Sequence, residues 1–516
     1  MSLGKILWAD DEIDLLKPHI LFLKEKGYEI TTVNNGDDAI DVVLEENFDI
    51  VFLDENMPGI SGLEALSKIK EVKNNLPIVM ITKSEEEAIM EDAIGSKIAD
   101  YLIKPVNPNQ ILLCLKKNLN QNTLVSQKTN SNYQQEFRQL GLQMSVHLDF
   151  TEWSDLYKKL VFWELELDQI QDKSMKEILV MQKKEANQLF SKYIEKNYLN
   201  WLNQRDQAPL MIQNVIKDKI VANLGKQKTA LIVIDNLRYD QWKTIEPIVN
   251  TLYDVINEEM ISSILPTATQ YARNALFSGL MPSEMAKKFP NFWVNEEEEG
   301  GKNLHEKDFL DAQLTRLGKS SLKWSYNKVT THEFGKKIVE QFNNLKDNDF
   351  NVIVYNFVDM LSHARTEMEV IRELAEDESA YRSITKSWFN HSPLFDLFKK
   401  LKENSFKVFI TTDHGTIKVN NPVKIIGDKN VNTNLRYKTG KNLSYQAKEV
   451  FTIKNPDEAY LPKSNISSEF VFARENDFFV YPNNYNHFVN YYSKTFQHGG
   501  ISMEEMLIPF VELNPK

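Results

Sequence analysis

Two groups of residues have types and spacing that suit chemistry, and both lie at the downstream ends of short apolar runs. Asp10 and Asp11 follow ILWA, Asp54 follows IVFL, Thr82 follows IVMI, and Lys104-Pro105 follows YLI. In open parallel sheets ligands gather at the carboxyl ends of the strands, so these positions are expected to converge. Three carboxylates meeting at one point repel one another unless a cation sits among them. Mg2+, with its preference for hard oxygen ligands, fits such a place. Asp54 is then set to attack a phosphodonor and form an acyl phosphate, with Lys104 pairing to the phosphoryl oxygens and Thr82 donating a hydrogen bond.

The second group is scattered over the back half. Asp235 follows ALIVI, Thr269 lies in LPTATQYARNALFSGL, Asp359 and His363 form DMLSH after IVYNFV, Asp413 and His414 form TTDHG after KVFI, and His498 precedes a Gly-Gly pair. Carboxylates mixed with imidazoles suit Zn2+, or alternatively Mn2+, better than Mg2+ or Ca2+. Seven such residues exceed the needs of one four-coordinate ion, and two neighbouring ions are the economical reading.

The elements that must position these residues follow from hydrophobic periodicity. Residues 5–8, 29–33, 50–53, 78–81 and 101–103 read as strands with helical patterns between and after them, a (βα)5 domain over 1–119. Residues 120–135 turn polar and read as a linker or a frayed helix. Trp153, Leu156, Tyr157, Leu160, Trp163, Leu167 and Ile170 recur at helical steps, as do Ile178, Leu179, Ala186, Leu189, Phe190 and Tyr193. This predicts an all-helical spacer over 120–210, a three-helix bundle. From Thr229 to the end the α/β texture returns, with strands at 230–234, 352–357 and 408–411, in a domain set at 211–516. The whole is an α/β multidomain protein.

Composition sets limits. With 516 residues, the chain is too long for one core; 42% hydrophobic and 26% charged residues are those of an ordinary globular protein. No signal-peptide pattern and no membrane-length apolar run is present, which predicts a cytoplasmic protein without membrane insertion. The single cysteine, Cys114, lies on an apolar helical pattern and reads as packed. Residues 1–119 carry 12 Lys, no Arg and 22 Asp or Glu, so most of the net charge of -12 belongs to the front module. Residues 415–454 are the reverse, with Lys418, Lys424, Lys429, Arg436, Lys438, Lys441, Lys448 and Lys454 against Asp428 and Glu449. With Tyr437, Tyr445 and Phe451 interleaved, this segment reads either as a track for a phosphate backbone and stacked bases or as a solvated insertion.

ILWADDE, FLDENMPG, MITKS and DYLIKP resemble the response-regulator receiver family in order and spacing. The resemblance implies that Asp11, Asp54 and the main-chain carbonyl of Asn56 hold Mg2+ with Asp10 in support, and that Tyr101 is the rotameric switch. It also implies an upstream sensor histidine kinase. Residues 211–516 look like the alkaline phosphatase superfamily, in particular its PglZ-like and nucleotide phosphodiesterase-like branches. By that resemblance one ion is held by Asp235, Thr269, Asp413 and His414 and the other by Asp359, His363 and His498, with Thr269 as nucleophile. Thr269 precedes a helical stretch at 271–277, where free N–H groups favour an anion. Arg238 and Asn274 are candidates for a phosphoryl oxygen, and Arg436 and Lys438 for the substrate. Both domains flanking a helical middle resemble the response regulators of the type IX secretion system, which implies contacts with a secretion-motor component and a sigma factor.

The expectation is a regulator whose phosphorylation at Asp54 controls dimerisation and a two-metal phosphodiesterase acting on nucleotides or oligonucleotides. The alternative is a phospho-switched adaptor with a vestigial metal site. A DNA-binding transcription factor ranks below both: no helix-turn-helix pattern follows Lys104, and the middle helices lack a concentrated basic face.

Overall fold

The structure, a computed structural model, describes residues 3–83, 98–169, 173–296, 298, 300–367, 377–427, 432–463, 465 and 467–516. Ile170, Asp428 and Lys429 lie outside them. The first five apolar runs become β1 (Lys5–Ala9), β2 (Glu29–Val33), β3 (Ile50–Asp54), β4 (Ile78–Thr82) and β5 (Asp100–Ile103). They pair in parallel in the order β2-β1-β3-β4-β5. Strands β1, β3 and β4 are apolar at nearly every position because packing covers both faces of the sheet. Leu7, Val51, Leu53 and Met80 meet Ala39, Val43, Leu66 and Ile69 of the helices Gly36–Glu45 and Gly62–Val72 on one face. Ile6, Trp8, Phe52 and Ile81 meet Leu23, Ile111 and Leu115 on the other.

A capping box of Ser61 and Glu64 starts the helix after β3. The helix begins hard against the Asp54 backbone: a Cβ on Gly62 would lie 2.3 Å from the Asp54 carbonyl oxygen. Only glycine permits that approach.

The chain forms two compact units, Met1–Gln134 and Gln135–Lys516. One helix, Pro108–Met144, runs from the first into the second, so the polar stretch at 120–135 is helical backbone and not a loop. In the second unit two further helices follow, Phe150–Asp168 and Lys173–Asn203. Trp153 of one packs on Phe190 and Tyr193 of the other, with ring centroids 5.5 and 6.0 Å apart. The end of the long helix joins them: the Gln182 amide donates to the Phe137 carbonyl at 3.1 Å, and Lys159 pairs with Glu136 at 3.3 Å. Among the described residues no helix is long and apolar enough to cross a membrane.

The C-terminal α/β domain is built on β6 (Thr229–Ile234), β7 (Tyr253–Ser262), β8 (Trp324–Val329), β9 (Phe350–Tyr355) and β10 (Lys407–Thr411). A peripheral set follows: β11 (Ile417–Lys418), β12 (Asn421–Lys424), β13 (Tyr437–Gly440), β14 (Val450–Ile453), β15 (Glu469–Ala473), β16 (Asp477–Val480) and β17 (Phe496–Gln497). The last strand, β18 (Leu507–Pro515), returns to the main sheet, whose order is β7-β18-β10-β6-β9-β8. β10, β6, β9 and β8 are parallel, and β18 runs antiparallel to both β10 and β7. Val233 sits opposite Thr411 and Ile234 opposite Tyr355, so the chain leaves three buried strands side by side at one sheet end.

Two expectations change. β9 ends at Tyr355, two residues early, and Phe357 instead opens the helix Phe357–Glu367. The 415–454 segment is no loose insertion: it folds into small sheets around Val423, Ile425, Val450, Val471 and Phe479.

Candidate functional site

In the receiver, ligand oxygens of Asp10, Asp11 and Asp54 all lie within 4.8 Å of one another. The Lys104 ammonium reaches in from the end of β5, 2.8 Å from Asp10 and 3.0 Å from Asp54. Asp54 Oδ1 is buried and accepts no hydrogen bond. Burial pushes the Asp54 carboxyl up to about 6, against the pull of Lys104. A dication would satisfy the orphan oxygen and hold the group ionised, so these residues fit Mg2+. Thr82 is buried at the end of β4, Tyr101 is half-buried on β5, and Asn56 is exposed two residues beyond β3.

In the C-terminal α/β domain, all seven sequence candidates converge. Asp235, Asp413 and His414 form one group and Asp359, His363 and His498 another, each with ligand atoms within 4.8 Å. The groups adjoin: the rings of His414 and His498 stack at 4.2 Å, and His498 Nε2 lies 3.9 Å from Asp359 Oδ1. Thr269 opens the helix Thr269–Ser278, with its hydroxyl 3.1 Å from His414 Nε2. His414 Nδ1 faces the Gly415 carbonyl and His498 Nδ1 the Thr267 carbonyl, both at 3.1 Å. Fixing Nδ1 in this way leaves each Nε2 for an ion.

The electrostatics also call for cations. Asp235 Oδ1 and Asp413 Oδ2 are buried without a hydrogen bond. Burial raises Asp235 to about 6 and Asp413 above its usual range, and carries Asp359 well above, with Asp235 and Asp413 adding to the last. Burial lowers His414 and takes His498 well below its ordinary value. Crowded carboxylates beside neutral imidazoles are the donor set of a transition dication, and the residues present fit one ion at each group.

Three supporting residues escaped the sequence reading. Arg273, one turn beyond Thr269, is buried between Asp235 and Glu306 and lies 3.9 Å from Asp413. Asn356, just past β9, donates to Asp235 at 2.9 Å. Asn236 bridges the groups, its backbone N–H reaching Asp413 and its amide reaching Asp359, each at 3.4 Å. Its φ of 65° is the left-handed conformation that Asn tolerates better than most residues. Position within two residues of a buried strand end was the available signal for both asparagines.

Four expected substrate contacts are placed differently. Arg238 is buried against Asp240 and Glu378, with Nε 2.9 Å from Asp240, and its guanidinium stacks near Tyr381 and Phe496. Arg436 is fully buried on Glu505 at 2.6 Å. Lys438 is buried, donating to the Asn432 carbonyl at 2.7 Å. The Asn274 amide donates to the carbonyls of Gln270 and Lys302. Burial and internal partners make these structural groups, because an arginine or lysine in the interior must be paired.

This arrangement defines the class: a receiver followed by an alkaline phosphatase-like α/β domain. The chain belongs to the family described as the BREX system PglZ alkaline phosphatase-like domain, whose model matches residues 212–513, more than half of its length. Residues 6–116 match the response regulator receiver domain and 123–202 the PorX response regulator linker domain; together the three matches are those of a PorX-type response regulator.

The chain is 38% identical over 112 residues to the transcriptional regulatory protein ResD of Bacillus subtilis, covering 22% of this chain and 46% of that protein. It is 30% identical over 147 residues to the transcriptional regulatory protein SrrA of Staphylococcus aureus, covering 28% and 61%. It thus spans about half the length of these relatives. A receiver domain protein of Methanospirillum hungatei shares 25% identity with a TM-score of 0.23, covering 23% of this chain and 96% of that one.

Proposed function

We propose that this chain is a two-component response regulator in which phosphorylation of Asp54 by a sensor histidine kinase controls a two-metal phosphodiesterase acting on nucleotides or oligonucleotides. The observation that carries the reading is the convergence of two ligand groups beside a hydroxyl at a helix start, with Thr269 Oγ 3.1 Å from His414 Nε2. Asp235, Asp413, His414 and Thr269 would hold one Zn2+, and Asp359, His363 and His498 the other; Asp10, Asp11, Asp54 and the Asn56 carbonyl would hold Mg2+. Bound there, Zn2+ lowers the pKa of a neighbouring hydroxyl and offsets phosphoryl charge.

Thr269 Oγ would attack phosphorus in line, forming a phosphate ester to Thr269 that keeps the second substituent, as the other ester P–O bond breaks and its oxygen leaves as an alcohol with the proton given up by the Thr269 hydroxyl. Water then cleaves the threonine ester and restores the hydroxyl. The start of the helix Thr269–Ser278 would place its dipole and first N–H groups towards the phosphoryl oxygens. Asn236 and Asn356 keep the carboxylates apart and oriented through the contacts described above. Among the described residues of 415–454, Lys424, Lys441, Lys448 and Lys454 are exposed and would be the basic groups to meet a polyanionic substrate. In the cell the reading extends to control of type IX secretion, with dimerisation on phosphorylation and a motor component and sigma factor as partners.

Hydrolysis of bis-p-nitrophenyl phosphate by the zinc-loaded chain, with Thr269→Ala as control, tests the mechanism. The expected outcome is a loss of about a hundredfold or more in Thr269→Ala at unchanged bound zinc. Equal rates sink the nucleophile; no turnover by either protein, with zinc bound, favours the adaptor reading.

A further inference from the structure

Residues 302–306, which belong to neither candidate metal group, are stitched to the helix Thr269–Ser278 along its first two turns. The half-buried Asn303 donates its side-chain amide to the Thr269 carbonyl at 2.9 Å. One residue earlier, the Lys302 carbonyl accepts from the Asn274 amide at 3.1 Å. Three residues later, Glu306 holds the Arg273 guanidinium at 2.5 Å, and Arg273 in turn reaches Asp235. One short run of chain thus touches both the residue that carries the hydroxyl and the arginine behind a metal-ligand candidate.

The run is itself pinned from the edge of the main sheet. Lys328, one residue before the carboxyl end of β8, donates to the Asn303 carbonyl at 3.2 Å and pairs with Glu306 at 3.2 Å. The Tyr326 hydroxyl of the same strand also donates to Glu306. Lys328 therefore ties the backbone at Asn303 to the carboxylate at Glu306, and a shift of one end strains the contacts of the other.

A carbonyl in the first turn of a helix ordinarily accepts the N–H four residues on. The Asn303 amide is a second donor to the Thr269 carbonyl. It restrains the peptide plane between Thr269 and Gln270, and with it the direction in which the Thr269 side chain leaves the backbone. Because the Thr269 hydroxyl stands 3.1 Å from His414 Nε2, a small rotation of that plane would carry it away from the ligand groups. We propose that Asn303 is a positioning residue for the Thr269 nucleophile, an inference that rests on the hydrolase reading above. It acts through the Thr269 backbone, while Glu306 at the other end of the run serves the ligand side through Arg273.

Steady-state hydrolysis of bis-p-nitrophenyl phosphate by the full zinc-loaded chain, with zinc content measured on the same samples, tests the assignment. Asn303→Leu keeps the approximate shape of the side chain and removes the donor. It is expected to lower kcat at least about tenfold, since a misplacement of about 1 Å at a reacting group can cost about a hundredfold. KM should stay within about threefold, because the lost interaction orients the nucleophile and does not bind substrate. Bound zinc should equal that of the unaltered chain. A fall in kcat accompanied by lost zinc, or a rise in KM with kcat unchanged, overturns the proposal. Turnover that Thr269→Ala loses and Asn303→Leu keeps in full overturns this proposal alone. Turnover absent from the unaltered chain, or surviving in Thr269→Ala, overturns the nucleophile reading and this proposal with it.

Discussion

Arg273 shows how a buried charge can hold a cluster of carboxylates together. Its guanidinium lies between Asp235 and Glu306, all three essentially inaccessible, so each carboxylate has a counter-charge that solvent cannot supply. Removing one partner of such a set leaves an uncompensated charge, which costs about 3–5 kcal/mol. Arg273→Ala is expected to lose that much in urea unfolding of the metal-free protein. A loss within the error of a surface substitution would mean that water reaches the pair. Lys438 makes the opposite case. Burial depresses its ammonium to about 8 from 10.5, because little nearby offsets the desolvation. The folded lysine therefore binds fewer protons than the unfolded one between those values, and its penalty on stability is full below pH 8 and gone above about 10.5. Lys438→Met should accordingly stabilise the fold by about 2–3 kcal/mol at pH 7, less whatever the lost bond to the Asn432 carbonyl contributed. The gain should fade as unfolding is repeated towards pH 10.5, and a gain that is flat with pH would contradict the burial argument.

At the scale of elements, the strands were legible and their junctions were not. A strand buried on both faces must be apolar throughout, so β1, β3, β6 and β10 stand out as runs, and the acids that close them mark the sites. β9 was read two residues too long because Asn356-Phe357 continues an apolar texture while the backbone turns into a helix. Arg436 and Lys438 were misplaced for a related reason: basic residues normally signal solvent, and the acid that buries Arg436, Glu505, lies 69 residues away. No local pattern reveals that pairing. The same long-range logic joins the middle helices to the site. Asn187 accepts from the Met503 N–H at 2.8 Å and donates to Glu504 at 2.9 Å. On the same short turn, Glu505 accepts from the Gly500 N–H at 2.9 Å, two residues past His498. The Lys173–Asn203 helix thereby steadies the loop that presents His498. Asn187→Leu is expected to lower phosphodiester hydrolysis several-fold and to weaken zinc affinity about tenfold, the usual scale for a supporting contact, with the receiver's response to a phosphodonor unchanged. Zinc affinity equal to that of the unaltered chain, measured by competition with a chelator, would remove Asn187 from this role.

At the scale of the whole chain, Asp54 and Thr269 belong to different compact units, and the helix Pro108–Met144 is the covalent path between them. Two routes by which chemistry at Asp54 could reach Thr269 are a change in what that helix transmits and the bringing together of two copies of the chain. On the proposed reading, phosphorylation of Asp54 to its acyl phosphate would replace a carboxylate held by Lys104 with a bulkier, more negative group, and Lys104 would then pair with a phosphoryl oxygen in place of the Asp54 oxygen. The acidic balance of residues 1–119 opposes association of two front modules at low salt, so neutralisation by Mg2+ and a fixed phosphoryl analogue should matter most there. With Mg2+ and beryllofluoride, which mimics the acyl phosphate, the mass in solution is expected to double and the phosphodiester rate to change. Asp54→Ala should show neither response while keeping its basal rate and its zinc. Light scattering and a rate assay on the same samples separate the two routes. A rate that changes at constant mass assigns the signal to the helix, a rate that follows the dimer's concentration dependence assigns it to association, and no change in either means that Asp54 does not govern Thr269.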